Sequence, residues 1–246
     1  MEIFVLAFFA LGYLVLAGAD IGVGMLLPYL GRSGGERREV IAAIAPFFLG
    51  NEVWLVATAG VLAGMFPELE AELLHHNYGV FVALLVAWVV RDMGLWLRGR
   101  LPGARWRLCW DGAVVAGSWG LALSWGALLG EVLLGLHGPV AALPALLAAA
   151  LFAVHGLAFA TLRLRGELRR RAAVLSGGAG EARTYVLTAG AFVVVGVLAG
   201  ARLPLTAGPT AAFLTPVVLA LIPLLVASQA WVWWTFRHRV TGPSYL

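Results

Sequence analysis

Residues 41–66 read IAAIAPFFLGNEVWLVATAGVLAGMF, apolar at nearly every position, with Asn51 and Glu52 at the centre. About 20 apolar residues in helical form cross a hydrocarbon core about 30 Å thick. A backbone inside lipid must satisfy its own amides, which a helix does. The stretch therefore predicts a membrane-crossing helix. Six further runs of the same kind lie at roughly 3–30, 78–97, 109–134, 140–162, 184–201 and 212–236. The composition agrees: 246 residues, 61% of them hydrophobic and only 12% charged. The mean hydropathy of +0.91 lies far above that of a soluble domain. Strand alternation is absent, which argues against a β-barrel. The expectation is an all-α polytopic membrane protein of about seven transmembrane helices. Its two parts are a four-helix bundle over 1–135 and a three-helix part over 136–246. The first run is too long for a cleaved signal peptide, and arginine appears only after it.

The arginines give the orientation. All 17 basic residues are Arg, with no Lys. Arg32, Arg37 and Arg38 lie in 31–40; Arg98, Arg100, Arg105 and Arg107 lie in 98–108. Six more fall in 163–183, and Arg237 and Arg239 follow the last run. These are alternate connections, so they are expected to face the cytoplasm. The connections near 67–77, 135–139 and 202–211 hold only Arg202, and PELEAELLHHN there is acidic. The N-terminus is then external and the C-terminus at Leu246 cytoplasmic. The net charge of +4 is a topology feature rather than a nucleic-acid surface. The setting expected is a bacterial inner membrane, crossed many times.

Cys109 is the single cysteine and has no disulfide or CxxC partner. No connection exceeds about 20 residues, so any chemistry belongs to the membrane or to another chain. One internal echo stands out. RSGGERRE (32–39) and RLRGELRRR (163–171) both set Gly-Glu among arginines between consecutive runs.

Ionisable groups within spans are costly, so they face the bundle interior and mark pairing or function. At 1.5 Å of rise per residue, Asp20 falls in the inner third of the first span, and Arg91 and Asp92 fall at a similar depth in the third. Glu52 falls near the midplane, and His155 near the middle of the fifth. The plain structural readings are an Asp20–Arg91 ion pair that locks the bundle, solvated Asp92 and Asp111 near the interface, and a packed, hydrogen-bonded His155. Glu52 resists such a reading. The nearest basic residues in sequence are 14 or more positions away, and a carboxyl that deep is either neutral or has a hidden partner. Glu52, Asn51 and Asp20 are the candidates for a proton path or partner interface. Trp54, one turn from this pair, is a candidate contact for a quinone or a partner. Most of the ten tryptophans read as interfacial anchors.

Several classes fall away. A retinal protein needs a Schiff-base lysine. A bis-His haem site needs paired histidines at matching depth, and only His155 lies well inside a span. Ser118, Ser124 and His155 match no intramembrane protease motif. No metal site and no catalytic residue are expected on this chain. A small transporter or ion-pathway protein remains open, with glycines near GADIGVG able to break a helix.

Residues 17–68 as a whole resemble the opening of cytochrome bd quinol oxidase subunit II. The resemblance is carried by Asp20, Gly22, Gly24 and Met25, by Leu30, Gly31, Arg32, Glu36, Arg37 and Arg38, and by Pro46 followed by Gly50, Asn51, Glu52, Val53, Trp54 and Leu55. RWRLCWD (105–111), RGELRRRA (165–172) and the aromatic AWVWWTFRHRV are similar to later family segments. The resemblance implies a non-haem subunit. Haem b and haem d and the quinol-oxidising loop would belong to a partner, subunit I, with small single-helix subunits as further company. The complex would oxidise quinol and reduce oxygen to water. This subunit would support the partner, hold a structural quinone and contribute acids to a proton route. Two departures follow. Phe48 and Leu49 stand where the family carries Trp-Asp, so the acid linked to proton entry is missing. Family members also carry about two more helices, a shortfall that falls around 202–211.

Overall fold

The computed structural model describes residues 1–178, 181–240 and 242; Leu246, whose side of the membrane the arginines were read to fix, lies outside them. The described residues are helical, with turns and no strand. The helices are α1 (Glu2–Met25), α2 (Leu27–Leu30), α3 (Gly34–Ile44), α4 (Phe48–Met65), α5 (Pro67–His76), α6 (Tyr78–Leu97), α7 (Ala104–Leu134), α8 (Ala142–Arg163), α9 (Gly166–Leu175), α10 (Glu181–Gly200) and α11 (Ala211–Thr235). Seven are long and apolar enough to cross a membrane: α1, α4, α6, α7, α8 with the 3-10 turn before it, α10 and α11. The chain is thus an all-helical, multi-pass membrane protein.

The stretch 41–66 is not one helix. Pro46 has no N–H to donate, and its ring clashes with the preceding turn, while Ala45 before it keeps helical dihedrals. The helix therefore stops at Ile44 and restarts at Phe48. The break places Asn51 and Glu52 in the opening turns of α4. Two connections also carry helices. Pro67 opens α5 at the position where its missing N–H costs nothing. Glu68 and Glu70 sit at the positive end of that helix, and His75 and His76 at the other. In 163–183, α9 forms from an arginine-rich segment with Glu167 in its first turn.

Helix α1 is the axis of the bundle, buried along most of its length. It meets α8 where Gly22 faces Gly156. A Cβ built on Gly22 would lie 1.9 Å from the Phe152 carbonyl oxygen, and one on Gly156 would lie 2.3 Å from the Gly22 carbonyl carbon. Only hydrogen fits there, so the two backbones touch in the manner of small-residue membrane crossings.

The two Gly-Glu segments meet at the arginine-rich end. Ser33 caps α3, accepting from the Glu36 amide at 3.2 Å, while Glu36 accepts from the Arg32 amide at 2.7 Å. Arg171 on α9 grips the Glu36 carboxylate with both terminal nitrogens, at 2.9 and 3.1 Å, and also donates to the Leu30 carbonyl. This fork-to-carboxylate geometry pulls the Glu36 pKa down to about 2 from 4.5. A depressed carboxyl stabilises the fold fully above its unfolded value and loses that contribution as pH falls through the folded one. Thermal unfolding of the wild-type chain should therefore weaken between about pH 4.5 and about pH 2, and Glu36→Gln should lack that component. An identical pH profile for both would show that the clasp carries no stability.

Asp111 is not solvated, as its place near the interface suggested, but buried. Arg98, itself buried, donates to one of its oxygens, and Arg37 Nη1 reaches the other at 3.3 Å. Arg98 also donates to the Gly34 carbonyl at 3.2 Å, which ties α6, α7 and α3 together.

Candidate functional site

Four spans bring their polar residues to one level. Asp20 comes from the last third of α1, Asn51 and Glu52 from the start of α4, Arg91 and Asp92 from the far half of α6, and Gln229 from α11. Arg91 is the hub. Its Nη2 donates to Asp20 Oδ1 at 2.5 Å; its Nη1 donates to Asp92 Oδ1 at 3.1 Å and to Glu52 Oε1 at 3.3 Å. The guanidinium also lies over the Phe48 ring, 5.8 Å from its centroid, and its Nε is buried without an acceptor. The hidden partner of Glu52 is thus an arginine 39 residues downstream.

The second branch is amide chemistry. Asn51 Nδ2 donates to Asp20 Oδ2 at 2.8 Å and to the Leu16 carbonyl at 3.0 Å. Gln229 Nε2 donates to Asn51 Oδ1 at 2.9 Å, and Trp54 Nε1 donates to Gln229 Oε1 at 3.4 Å. Gln229 was missed by sequence reading. The cue was available, since it is the one amide in the apolar run of α11, but nothing in that run says which helix it faces. Trp54 is buried against Phe8 and Phe9 inside this chain.

Exposure rises along the cluster. The side chains of Asp20 and Arg91 are each 2% exposed, Glu52 13% and Asp92 20%. The sealed end is amide and ion pair, and the open end is two carboxyls. Glu52 shares the α4 stripe of exposed Leu49, Val53 and Val56, and Asp92 shares the α6 stripe of Val89, Met93 and Trp96. The open end therefore emerges on an otherwise apolar face. Asp92, which its place near the span's end suggested was merely solvated, is part of the cluster. Three carboxyls facing one guanidinium provide more proton acceptors than cations, the composition needed to hold and pass a proton.

His155 lies apart. It is fully buried; its Nε2 donates to the Val15 carbonyl at 2.9 Å, and its Nδ1 sits 2.6 Å from Thr188 Oγ1. Both ring nitrogens thus have partners within this chain. Among the described residues, no three His, Cys, Asp or Glu side chains could hold a metal ion together.

Comparison with known proteins gives the wider context. The chain is 36% identical over 125 residues to cytochrome bd-I ubiquinol oxidase subunit 2 of Escherichia coli (strain K12), covering 51% of this chain and 33% of that protein. It is 34% identical over 176 residues to cytochrome bd ubiquinol oxidase subunit 2 of Bacillus subtilis (strain 168), covering 65% and 52%. It is 30% identical over 206 residues to the probable cytochrome oxidase subunit 2 of Haemophilus influenzae, covering 76% and 53%. The matches thus span about a third to a half of the length of these relatives. Residues 1–214 match the family described as cytochrome bd terminal oxidase subunit II, seven of the described helices are of membrane length, and the chain belongs to that family.

Proposed function

We propose that this chain is the haem-free second subunit of a bd-type terminal oxidase, a complex that oxidises quinol and reduces oxygen to water in a bacterial inner membrane. The haems, of b and d type, and the quinol-oxidising site are assigned to the partner, subunit I. A structural quinone and small single-helix subunits belong to the same proposal. The observation that carries it is the open end of the cluster. Two carboxyls on a face of exposed Leu49, Val53, Val56, Val89 and Met93 are costly against lipid, so that face is best completed by another protein. The partner docks on α4 and α6, and Glu52 and Asp92 hand protons to it. Asp20 and Asn51 set the position of Arg91 behind them. Glu52 replaces, one turn along the helix, the acid that Leu49 displaces.

The orientation belongs to the same proposal: N-terminus outside, arginine-rich end in the cytoplasm. A reporter fused after Leu246 should be active only inside; activity outside would reverse the assignment of the proton-entry side. The division at 135 is likewise proposed, with Gly135 in a left-handed turn at the end of α7 separating 1–135 from 136–246.

The test of the function is spectroscopic. The tagged chain, extracted gently from its native membrane, should bring down a second membrane subunit with b- and d-type haem spectra. Expressed without that partner, it should show no stoichiometric Soret band, because its one deep histidine has both nitrogens engaged. Haem on the isolated chain, or a haem-free complex from native membranes, would overturn the proposal.

A further inference from the structure

A second polar feature lies at the arginine-rich end, separate from the Arg91 cluster. A pocket of about 240 Å³ opens between α2 and α9, lined by Tyr29, Arg32, Glu167, Arg170, Arg171, Val174 and Leu175. Its charges do not cancel. Arg171 is held by Glu36, and Arg170 pairs with Glu167 one turn away. Arg32 is exposed, and among the described residues its hydrogen bond is from the backbone amide to Glu36, with none from its guanidinium. One cation therefore remains over, with the exposed and mobile-length side chain of Arg170 beside it.

The rim of the pocket is apolar where a water-soluble surface would be polar. Tyr29, Val174 and Leu175 are 63%, 72% and 51% exposed. Arg170 and Val174 are one turn apart on α9, so the helix presents a cation and an apolar side chain on the same edge. α9 buries Leu168 and Ala172 on its other side. Such a helix, beside the ends of the spans, sits at headgroup depth with its apolar rim toward the acyl chains. The volume admits a headgroup but not a whole lipid, so the tails would stay in the bilayer.

We propose that this pocket is a binding site for an anionic phospholipid of the leaflet at the arginine-rich end. Its phosphodiester is bridged by Arg32 and Arg170, and its first acyl carbons rest on Tyr29, Val174 and Leu175. Arg171, fixed by Glu36 and the Leu30 carbonyl, forms the floor and keeps α9 at the right distance from α2. Basic pockets beside membrane helices recognise acidic headgroups through charge and hydrogen bonds together. The proposal stands on the pocket alone and does not depend on the partner subunit or on the proton role of Glu52.

The test uses the complex as extracted from the membrane, in mild detergent, with native mass spectrometry after titration with phosphatidylglycerol or phosphatidylcholine of the same chains. Phosphatidylglycerol should be retained several-fold better than phosphatidylcholine. Each of Arg32→Gln and Arg170→Gln should weaken retention about five-fold, and the two together by about the product. Both side chains are exposed, and unchanged thermal unfolding of the lipid-free variants would show that the fold is intact. Arg105→Gln, an exposed arginine elsewhere at the same end, should change nothing. Equal loss with Arg105→Gln would make the effect general charge and overturn the site. Displacement of phosphatidylglycerol by millimolar inorganic phosphate would make it a free-anion site instead. Failure of the wild-type complex to retain phosphatidylglycerol, with Arg32 protected by the partner subunit from chemical modification, would assign the pocket to a protein contact and equally defeat the proposal.

Discussion

Arg91→Gln should be among the most destabilising single changes in the chain. The substitution removes the only guanidinium among the described residues in contact with Asp20, Glu52 and Asp92. It leaves Asp20, 2% exposed, with Asn51 as its remaining side-chain donor. Breaking one side of a buried pair costs on the order of 3–5 kcal/mol, because the surviving charge stays desolvated. Asp20→Asn exposes the same problem from the other side, although Arg91 then keeps Glu52 and Asp92 as partners, so its cost should be the smaller. The double variant Asp20→Asn/Arg91→Gln removes both charges and should recover part of the loss. Folded yield in mild detergent and the thermal unfolding midpoint report it. A double variant no better than Arg91→Gln alone would mean that the two residues do not act as a pair.

The second large effect is on turnover. Glu52→Gln keeps the shape of the side chain and its ability to accept from Arg91 at 3.3 Å, but it cannot release a proton. A positioned acid or base typically contributes about 10²–10⁴-fold to a proton-transfer step. If Glu52 passes protons to the partner, oxygen consumption by the assembled complex should fall at least about tenfold, with the haem spectrum and subunit content unchanged. Asp92→Asn should fall less, since Glu52 still contacts Arg91 beside it. Wild-type oxygen consumption by Glu52→Gln at every pH would leave Glu52 a purely structural ligand of Arg91.

The spans were legible because lipid imposes a single rule on every one of them: 20 or so apolar residues, closed on themselves as a helix. What that rule hides is anything shorter than a span. α5 and α9 lay within connections that hydropathy treats as loops, although Pro67 and the Glu-to-His gradient of α5 are readable helix signals. The break at Pro46 was equally visible, but apolar residues on both sides of it made 41–66 look continuous. Within the cluster, Asp20 and Arg91 could be matched by counting rise along two helices, and the geometry has them 2.5 Å apart. Gln229 could not be matched so, because α11 lies 178 residues from Asn51 and the rotation of an almost uniformly apolar helix leaves no periodic trace. Asp111 shows the opposite failure. Depth alone placed it at a solvated edge, and only the fold shows Arg98 and Arg37 closing over it.

The measurement that bears most directly on the cluster is proton uptake itself. The reduced complex is mixed with oxygen in weak buffer containing a pH-indicator dye, and haem oxidation and dye response are followed in the same shot. With Glu52 and Asp92 as the delivery point, the wild-type complex takes up protons in step with haem oxidation. Glu52→Gln should then oxidise its first haem at the normal rate while proton uptake lags well behind. Proton uptake by Glu52→Gln that keeps pace with the wild type would contradict the account, and would leave the carboxyls on the α4 and α6 face as structural partners of Arg91 alone.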